Sequence, residues 1–283
     1  MSDKLKNLIV RTVSGIGLLL VVVLASLGIY TYGLFLLLVT VVGMLEFYNI
    51  AAAVGCRPQR TLGLVSGMVL FITNFALFKS YALGAGLDYD MFIGGAIYFI
   101  ALIPLSFILE LFVKSETPLR NIASTLMGVL YVALPMSLML YIPMMLSGRG
   151  WMPAAFLFYL FIVWANDVFA YLVGVTIGKH RMCERISPKK SWEGFVGGVV
   201  GALGMGALGA YVVGGSYGVW IGLAVVVAIT GVLGDLVESM LKREAGIKDS
   251  GNIMPGHGGM LDRFDALLIS APFAFAYLVI MML

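Results

Sequence analysis

The chain has 283 residues, of which 61% are hydrophobic and only 12% are charged, with a mean hydropathy of +1.01. Soluble domains carry about one quarter charged residues, so this composition excludes an ordinary soluble protein and indicates an integral membrane protein. The net charge of +3 is too small to indicate a nucleic-acid-binding protein. Cys56 and Cys183 both fall in segments that we assign to the cytosol below, where no disulfide bond is expected.

Nine stretches of the chain are long and apolar enough to cross a bilayer as helices, which takes about 20 mostly apolar residues. The first begins after Lys4 and Lys6, as a signal peptide would. However, no small-residue cleavage site and soluble domain follow it, so we interpret it as a retained span. No internal repeat is visible, so we predict one all-α polytopic domain over residues 1–283. The predicted spans are 8–28, 31–54, 62–79, 91–113, 122–146, 153–177, 194–214, 217–237 and 265–283.

The distribution of positive charge orients these spans, because lysine and arginine accumulate on the cytoplasmic side of membrane proteins. With the N-terminus inside and the C-terminus outside, all 18 Lys and Arg residues except Lys79 and Arg149 fall at cytoplasmic positions. One missed span would destroy this alternation. The large polar loops 178–193 and 238–264 are both cytoplasmic in this topology, so an activity must be built there from loops and helix ends.

The longest polar stretch, Ser239–Asp265, has the composition of a phosphate and metal site. Just before it, Asp235 begins a series at positions i, i+3, i+4 and i+7 that shares one face of the helix leaving the membrane. Asp262 opens the final helix, so it and Asp235 are predicted to face each other and share Mg²⁺, which takes carboxylate and phosphate oxygens. The series on the first helix is Asp235, Glu238, Ser239 and Lys242.

The same stretch carries cations and a glycine-rich turn that suit bound phosphates. Arginine gives planar bidentate contacts to phosphate, and glycines let backbone N–H groups approach it closely. A simple basic loop that anchors helices to anionic lipid would account for the cations, but not for the aspartates packed against helix ends. The candidate phosphate ligands are Lys242, Arg243, Lys248, Arg263 and His257, the last within the turn Pro255–Gly259.

The loop before the seventh span offers a second anion site. Ser187, Lys189 and Lys190 lie just before a helix whose N-terminal N–H groups also favour an anion. The alternative interpretation is again a positive anchor at the membrane surface. Inside the sixth span, Asn166 and Asp167 predict a polar cavity, because a carboxylate at that depth is costly. Glu46, near the inner end of the second span, is a weaker candidate of the same kind.

The polar stretch, read as S-x-x-K-R-x4-K-D-x-G-x3-P-x-H-G-G-x2-D-R-x-D, resembles the signature of the phosphatidate cytidylyltransferases, or CDP-diacylglycerol synthases. The segments Asn166–Gly174 and Ser187–Gly194 also resemble that family. The match covers roughly the last 120 residues. It implies a catalytic part over about 151–283 and variable helices over about 1–150.

The resemblance implies transfer of a cytidylyl group from CTP to phosphatidic acid in the cell membrane, with Mg²⁺, and with a second metal or a monovalent cation left open. It also implies a homodimer. In this assignment Asp235 and Asp262 are metal ligands supported by Asp265 and Asp249. The cations Lys242, Arg243, Lys248 and Arg263, with Ser239, His257, Gly258 and Gly259, bind the nucleotide phosphates. Ser187, Lys189 and Lys190 receive the lipid phosphate, and Asn166 and Asp167 form the cavity floor.

Three other functions remain to be compared with this one. A CTP-dependent lipid or polyprenol kinase would share the substrate but transfer the γ-phosphate, and the full signature argues against it. A transporter using Asp167 and Glu46 as an ion path would concentrate polar residues near the midplane, whereas here they crowd one surface. A purely structural membrane protein would have no need of the aspartates.

Overall fold

A computed structural model describes residues 3–84, 89–148, 150–253 and 258–283, with side chains from Thr12 onward. The described chain is almost entirely helical. The helices are α1 (Asp3–Ser26), α2 (Ile29–Ala53), α3 (Arg60–Ala82), α4 (Tyr89–Leu111), α5 (Pro118–Gly128), α6 (Leu134–Leu138), α7 (Ile142–Ser147), α8 (Pro153–Ile177), α9 (Trp192–Val213), α10 (Tyr217–Glu244) and α11 (Leu261–Met282).

Eight helical segments of the described residues are long and apolar enough to cross a membrane, and they match the predicted spans after the first. The first predicted span coincides with α1, whose described apolar part is Thr12–Ser26. The prediction of an all-α polytopic membrane protein is therefore confirmed. Two boundaries differ: α10 continues past residue 237 to Glu244, and α11 begins at Leu261 rather than at 265. Charged residues predicted to lie in the loop thus lie on regular helix.

The fifth span is not one helix, because two prolines interrupt it. A π-helical turn, Val129–Ala133, follows α5, and a non-helical turn separates α6 from α7. Proline cannot donate to the carbonyl four residues earlier and crowds it, so Pro135 and Pro143 each disturb the turn before them. The carbonyl that Pro143 leaves free, that of Met139, accepts a 2.7 Å hydrogen bond from the buried Tyr32 hydroxyl. Backbone groups inside a bilayer need such partners.

A short β-hairpin lies between α8 and α9, in a loop for which the sequence predicted no strands. Its strands β1 (Arg181–Cys183) and β2 (Ser187–Ser191) pair antiparallel. The Glu193 carboxylate, in the first turn of α9, accepts hydrogen bonds from the backbone N–H groups of Lys179 and His180 and lies 2.6 Å from Nδ1 of His180. These contacts fix the hairpin to the start of α9, and β2 then leads directly into that helix.

Helices α8 and α9 pack closely through glycines. A Cβ atom added at Gly198 would lie 2.8 Å from the carbonyl oxygen of Asn166, and one at Gly194 would lie 2.7 Å from that of Ala170. Small residues at such positions let helix backbones approach each other within a membrane. This contact fixes the position of α8 and therefore of Asp167, the next residue along the chain.

The substitution Gly198→Ala should destabilise the protein, because the new methyl group meets backbone that has little room to move. We expect a loss of about 1–3 kcal/mol in the free energy of unfolding, measured as a lower melting temperature in detergent. Gly204→Ala, on the same helix, is the matched control, since nothing lies within 4 Å of its added Cβ. The control should be neutral or slightly stabilising. Equal melting temperatures for the two variants would contradict the close packing.

Candidate functional site

Helix α10 carries Asp235, Glu238, Ser239 and Lys242 on one face, as their spacing predicts. The Ser239 hydroxyl donates to Asp235 Oδ1 at 3.2 Å, and Lys242 Nζ donates to Glu238 Oε2 at 2.6 Å. Glu238 is fully buried, and the Lys242 side chain is only 12% exposed. A buried ion pair of this kind tolerates little change in geometry, because each charge depends on the other for compensation.

Asp262, in the first turn of α11, is joined to α10 by the same lysine. Lys242 Nζ lies 2.5 Å from Asp262 Oδ1. The other oxygen, Oδ2, accepts hydrogen bonds from the backbone N–H groups of Ser250 (2.8 Å) and Gly259 (2.7 Å), and from the Ser250 hydroxyl (3.0 Å). Asp262 therefore ties the loop between α10 and α11 to the start of α11.

Three carboxylates on α10 and α11 converge beside this pair. Asp235, Glu238 and Asp265 each offer an oxygen within 4.8 Å of the others. Glu238 Oε1 and the Tyr131 hydroxyl, on the π-helical turn, are both buried without a hydrogen-bond partner among the described residues. Unpaired buried polar atoms are costly, so this cluster has unmet capacity to bind a cation or other polar group.

Lys190, on β2, reaches the cluster from the hairpin. Its Nζ lies 2.6 Å from Asp235 Oδ2 and 3.4 Å from the carbonyl oxygen of Val232. The hairpin therefore places a cation from one predicted site directly against a carboxylate from the other. Sequence reasoning assigned Lys190 and Asp235 to different substrates and did not predict this ion pair.

A cavity of about 550 Å³ unites most of the predicted site; we call it the large cavity. One wall is polar and charged, and the other consists of apolar side chains of α1, α8 and α11. The polar lining consists of Ser14, Asp167, Asp235, Ser239, Lys242, Arg243, Lys248, Asp249, Asp262, Arg263 and Asp265.

A second cavity of about 240 Å³, the small cavity, shares Asp167 and Asp235 with the large one. It lies between α8, α9, α10 and the hairpin. Lys189 and Lys190 contribute its positive charge. The rest of its lining is largely apolar or aromatic and includes Ala170, Tyr171, Met182, Phe195 and Val232. The two cavities therefore differ in chemistry and meet at two carboxylates.

Several predicted residues do not line either cavity. Asn166 is buried, and its Oδ1 faces the Gly198 backbone of α9 rather than a cavity. Ser187 lies on β2 outside both linings. Gly259 uses its N–H for Asp262, so that donor is not free for a phosphate. Gly258 has a φ of +85°, which explains the glycine there by backbone conformation alone. His257 lies outside the described residues.

Sequence reasoning missed three contributions to the site. Glu238 appeared in the helical series but received no role, although it joins the carboxylate cluster. Ser14 and Gly15 of α1 line the large cavity, and no motif in that helix indicated it. Glu46 of α2 hydrogen-bonds to the loop before α11, more than 200 residues along the chain. Its position near a span end was noticed, but no local pattern identifies its partners.

Comparison with known proteins gives the family. The model of a family described as the cytidylyltransferase family matches residues 9–281. A relative from Staphylococcus aureus, named phosphatidate cytidylyltransferase, is 40% identical over 177 residues, which cover 61% of this chain and 66% of the relative. Relatives of the same name from Mycobacterium bovis and Synechocystis are 46% and 44% identical over 138 and 122 residues.

The last two alignments cover 48% and 42% of this chain, and 43% and 41% of the relatives from Mycobacterium bovis and Synechocystis, respectively. The chain thus spans just under two thirds, or less, of the length of these curated relatives. The family model, in contrast, extends over nearly the whole chain. The resemblance drawn from the polar stretch Ser239–Asp265 is confirmed at the level of the family.

Replacing Lys242 by methionine should destabilise the protein, because it leaves two carboxylates, one of them fully buried, without their cation. Breaking a buried pair in this way typically costs about 3–5 kcal/mol, and the melting temperature in detergent would report it. Arg243→Met is the matched control: it is exposed, and its longest-range contact is a 3.4 Å hydrogen bond to the Ile247 carbonyl. A Lys242→Met protein as stable as the Arg243→Met protein would argue against the buried ion pair.

Proposed function

Because the chain belongs to the cytidylyltransferase family, we propose that it transfers the cytidylyl group of CTP to phosphatidic acid, giving CDP-diacylglycerol and pyrophosphate. The name of its relatives, phosphatidate cytidylyltransferase, supports this substrate pair. The observation that carries the proposal is the meeting of two unlike cavities at Asp167 and Asp235. A triphosphate and a lipid with a phosphate head group need these two environments, and they must meet where the new bond forms.

The large cavity suits the nucleotide. Arg243, Lys248 and Arg263 line it and are exposed. None of them forms an ion pair with a carboxylate in the part of the chain that the structure describes. Their charge is therefore available to phosphate oxygens, to which arginine gives bidentate hydrogen bonds. Lys242, in contrast, is held by Glu238 and Asp262, so we assign it to fixing those carboxylates.

The small cavity suits the lipid phosphate. Lys189 and Lys190 lie beside Tyr171, Phe195 and Val232, so positive charge and apolar surface are adjacent. This is the combination that an anionic head group attached to acyl chains requires. Lys190 also contacts Asp235 and would thus hold the lipid phosphate next to the nucleotide site.

The reaction needs little covalent chemistry from the protein. An ionised oxygen of phosphatidic acid forms a bond to the α-phosphorus of CTP, and the bond from that phosphorus to the β-phosphate oxygen breaks, which releases pyrophosphate. The nucleophile is already deprotonated, so no general base is required. The protein contributes positioning and neutralisation of the phosphate charges, which are the main terms in such transfers.

We further propose Mg²⁺ as the cofactor, held by Asp235, Glu238 and Asp265. Carboxylate oxygens are the ligands that Mg²⁺ prefers, and the unpaired buried Glu238 Oε1 suits a cation there. Asp262, the other ligand predicted from the sequence, lines the same cavity, but its oxygens already accept hydrogen bonds from protein donors. When bound, the ion would neutralise charge on the phosphates of CTP. A second metal or a monovalent cation stays open.

The orientation and assembly of the protein are also proposals. Lysine and arginine crowd the end of the bundle that carries the hairpin and the loop before α11, which supports a site facing the cytoplasm from the cell membrane. A homodimer stays a prediction from the resemblance.

The first test uses purified protein in detergent with phosphatidic acid, Mg²⁺ and CTP labelled at either the α- or the γ-phosphate. We expect label to enter the lipid from the α position only, and a chelator to abolish the transfer. Transfer from the γ position only would identify a kinase and contradict the proposal. Protein without phosphatidic acid is the blank, and the Asp235→Asn variant is the control for contaminating activity.

Lys190→Ala should raise the apparent KM for phosphatidic acid about tenfold or more while changing the KM for CTP less, because the lost charge lines the small cavity. Lys179→Ala is the matched control. It removes one positive charge from the same loop, but Lys179 is exposed and lines neither cavity. A change confined to CTP kinetics would reassign Lys190 to the nucleotide.

A further inference from the structure

We infer that Glu46 of α2 is a positioning residue that shapes the loop between α10 and α11 and the start of α11. The catalytic consequence of this inference rests on the proposed function, whereas the positioning itself does not. Glu46 does not line either cavity, so it would act through other residues.

The carboxylate of Glu46 accepts hydrogen bonds from three donors of this loop. The backbone N–H of Met260 donates to Oε1 at 2.9 Å, that of Leu261 to Oε2 at 2.8 Å, and the Ser250 hydroxyl to Oε2 at 2.9 Å. Met260 and Leu261 are at the N-terminus of α11, where N–H groups have no partner within the helix. Glu46 thus caps α11 with a side chain from the other half of the chain.

The loop is built to admit this carboxylate. A Cβ atom at Gly251 would overlap Glu46 Oε1, and one at Gly259 would overlap both carboxylate oxygens of Glu46. Two glycines on opposite sides of one carboxyl group therefore leave the space that it occupies. Both have ordinary backbone conformations, since neither is among the glycines with positive φ in the described residues. Close approach to Glu46, rather than backbone freedom, accounts for them.

No cation accounts for the burial of Glu46. The residue is 5% exposed, and no described lysine or arginine forms an ion pair with it. Its negative charge is instead stabilised by N–H groups at a helix N-terminus, where the helix dipole favours an anion. Removing the carboxylate would leave those N–H groups buried and unpaired, so the loop would have to change shape.

The Ser250 hydroxyl links Glu46 to the site. It lies 2.9 Å from Glu46 Oε2 and 3.0 Å from Asp262 Oδ2, and it has one proton to donate. Asp262 in turn holds Lys242, and the same loop carries Lys248 into the large cavity. A shift of the loop would therefore move a phosphate-binding cation and the carboxylate that organises α10 against α11.

The experiment compares Glu46→Gln with Glu110→Gln in the full-length protein. Glu110 is the matched control: it is also 5% exposed and also accepts hydrogen bonds from two partners, the side-chain amides of Gln59 and Asn121. It lies on α4, away from both cavities. A glutamine at either position keeps the size and removes one acceptor.

Two readouts separate positioning from stability. The first is the rate of tryptic cleavage after Arg243 and Lys248, relative to cleavage after Lys179 in the hairpin loop. We expect Glu46→Gln to raise this ratio several-fold and Glu110→Gln to leave it unchanged. The second is the Mg²⁺ concentration for half-maximal activity together with the KM for CTP, which should rise about 10- to 100-fold for Glu46→Gln only, as for residues that orient site ligands.

Equal behaviour of the two glutamine variants, in either direction, would overturn the inference and leave Glu46 with a structural role. If the Glu46→Gln protein does not fold, Ser250→Ala removes only the hydroxyl link and should change both readouts in the same direction by less. A wild-type protein that transfers no cytidylyl group would refute the proposed function, while the cleavage ratio would still decide the positioning.

Discussion

The interaction on which the site depends is the bridge that Lys242 makes between Glu238 of α10 and Asp262 of α11. These three side chains are buried or nearly so, and in a low-dielectric setting an unpaired charge there would cost several kcal/mol. The bridge compensates one negative charge and leaves the other, and Asp235 and Asp265 add more. Lys190 offsets part of this excess. The region is therefore left with the negative charge that a cation site needs.

The frame around this bridge is made of elements with little polarity of their own. Glycines allow α8 and α9 to touch, prolines divide the fifth span, and a tyrosine hydroxyl satisfies one carbonyl that a proline leaves free. Each of these devices solves the same problem, because a backbone polar group inside a bilayer must find a partner within the protein. Glu46 does the same for the N-terminus of α11, at the point where regular helix gives way to loop.

The placement of charge also separates an enzyme of this family from a transporter. A transporter would carry its polar residues near the middle of the membrane, between discontinuous helices. Here the ionisable groups gather at one end of the bundle, on the last turns of α10, the first turns of α11, the hairpin and the loop between the helices. Asp167 is the deepest of them, and it faces cavities that open toward that end. This arrangement favours chemistry on head groups and nucleotides at a surface.

The sequence by itself determined the membrane class, the order of the spans, the one-face series from Asp235 to Lys242 and the family, because these depend on local composition, helical period and a contiguous motif. Only the tertiary structure decided which groups meet. Lys190 against Asp235, the hairpin that brings it there, the α1 wall of the large cavity and Glu46 at the start of α11 all join segments far apart in the chain. Such contacts follow from how helices pack, and packing depends on every helix at once rather than on any one stretch of residues.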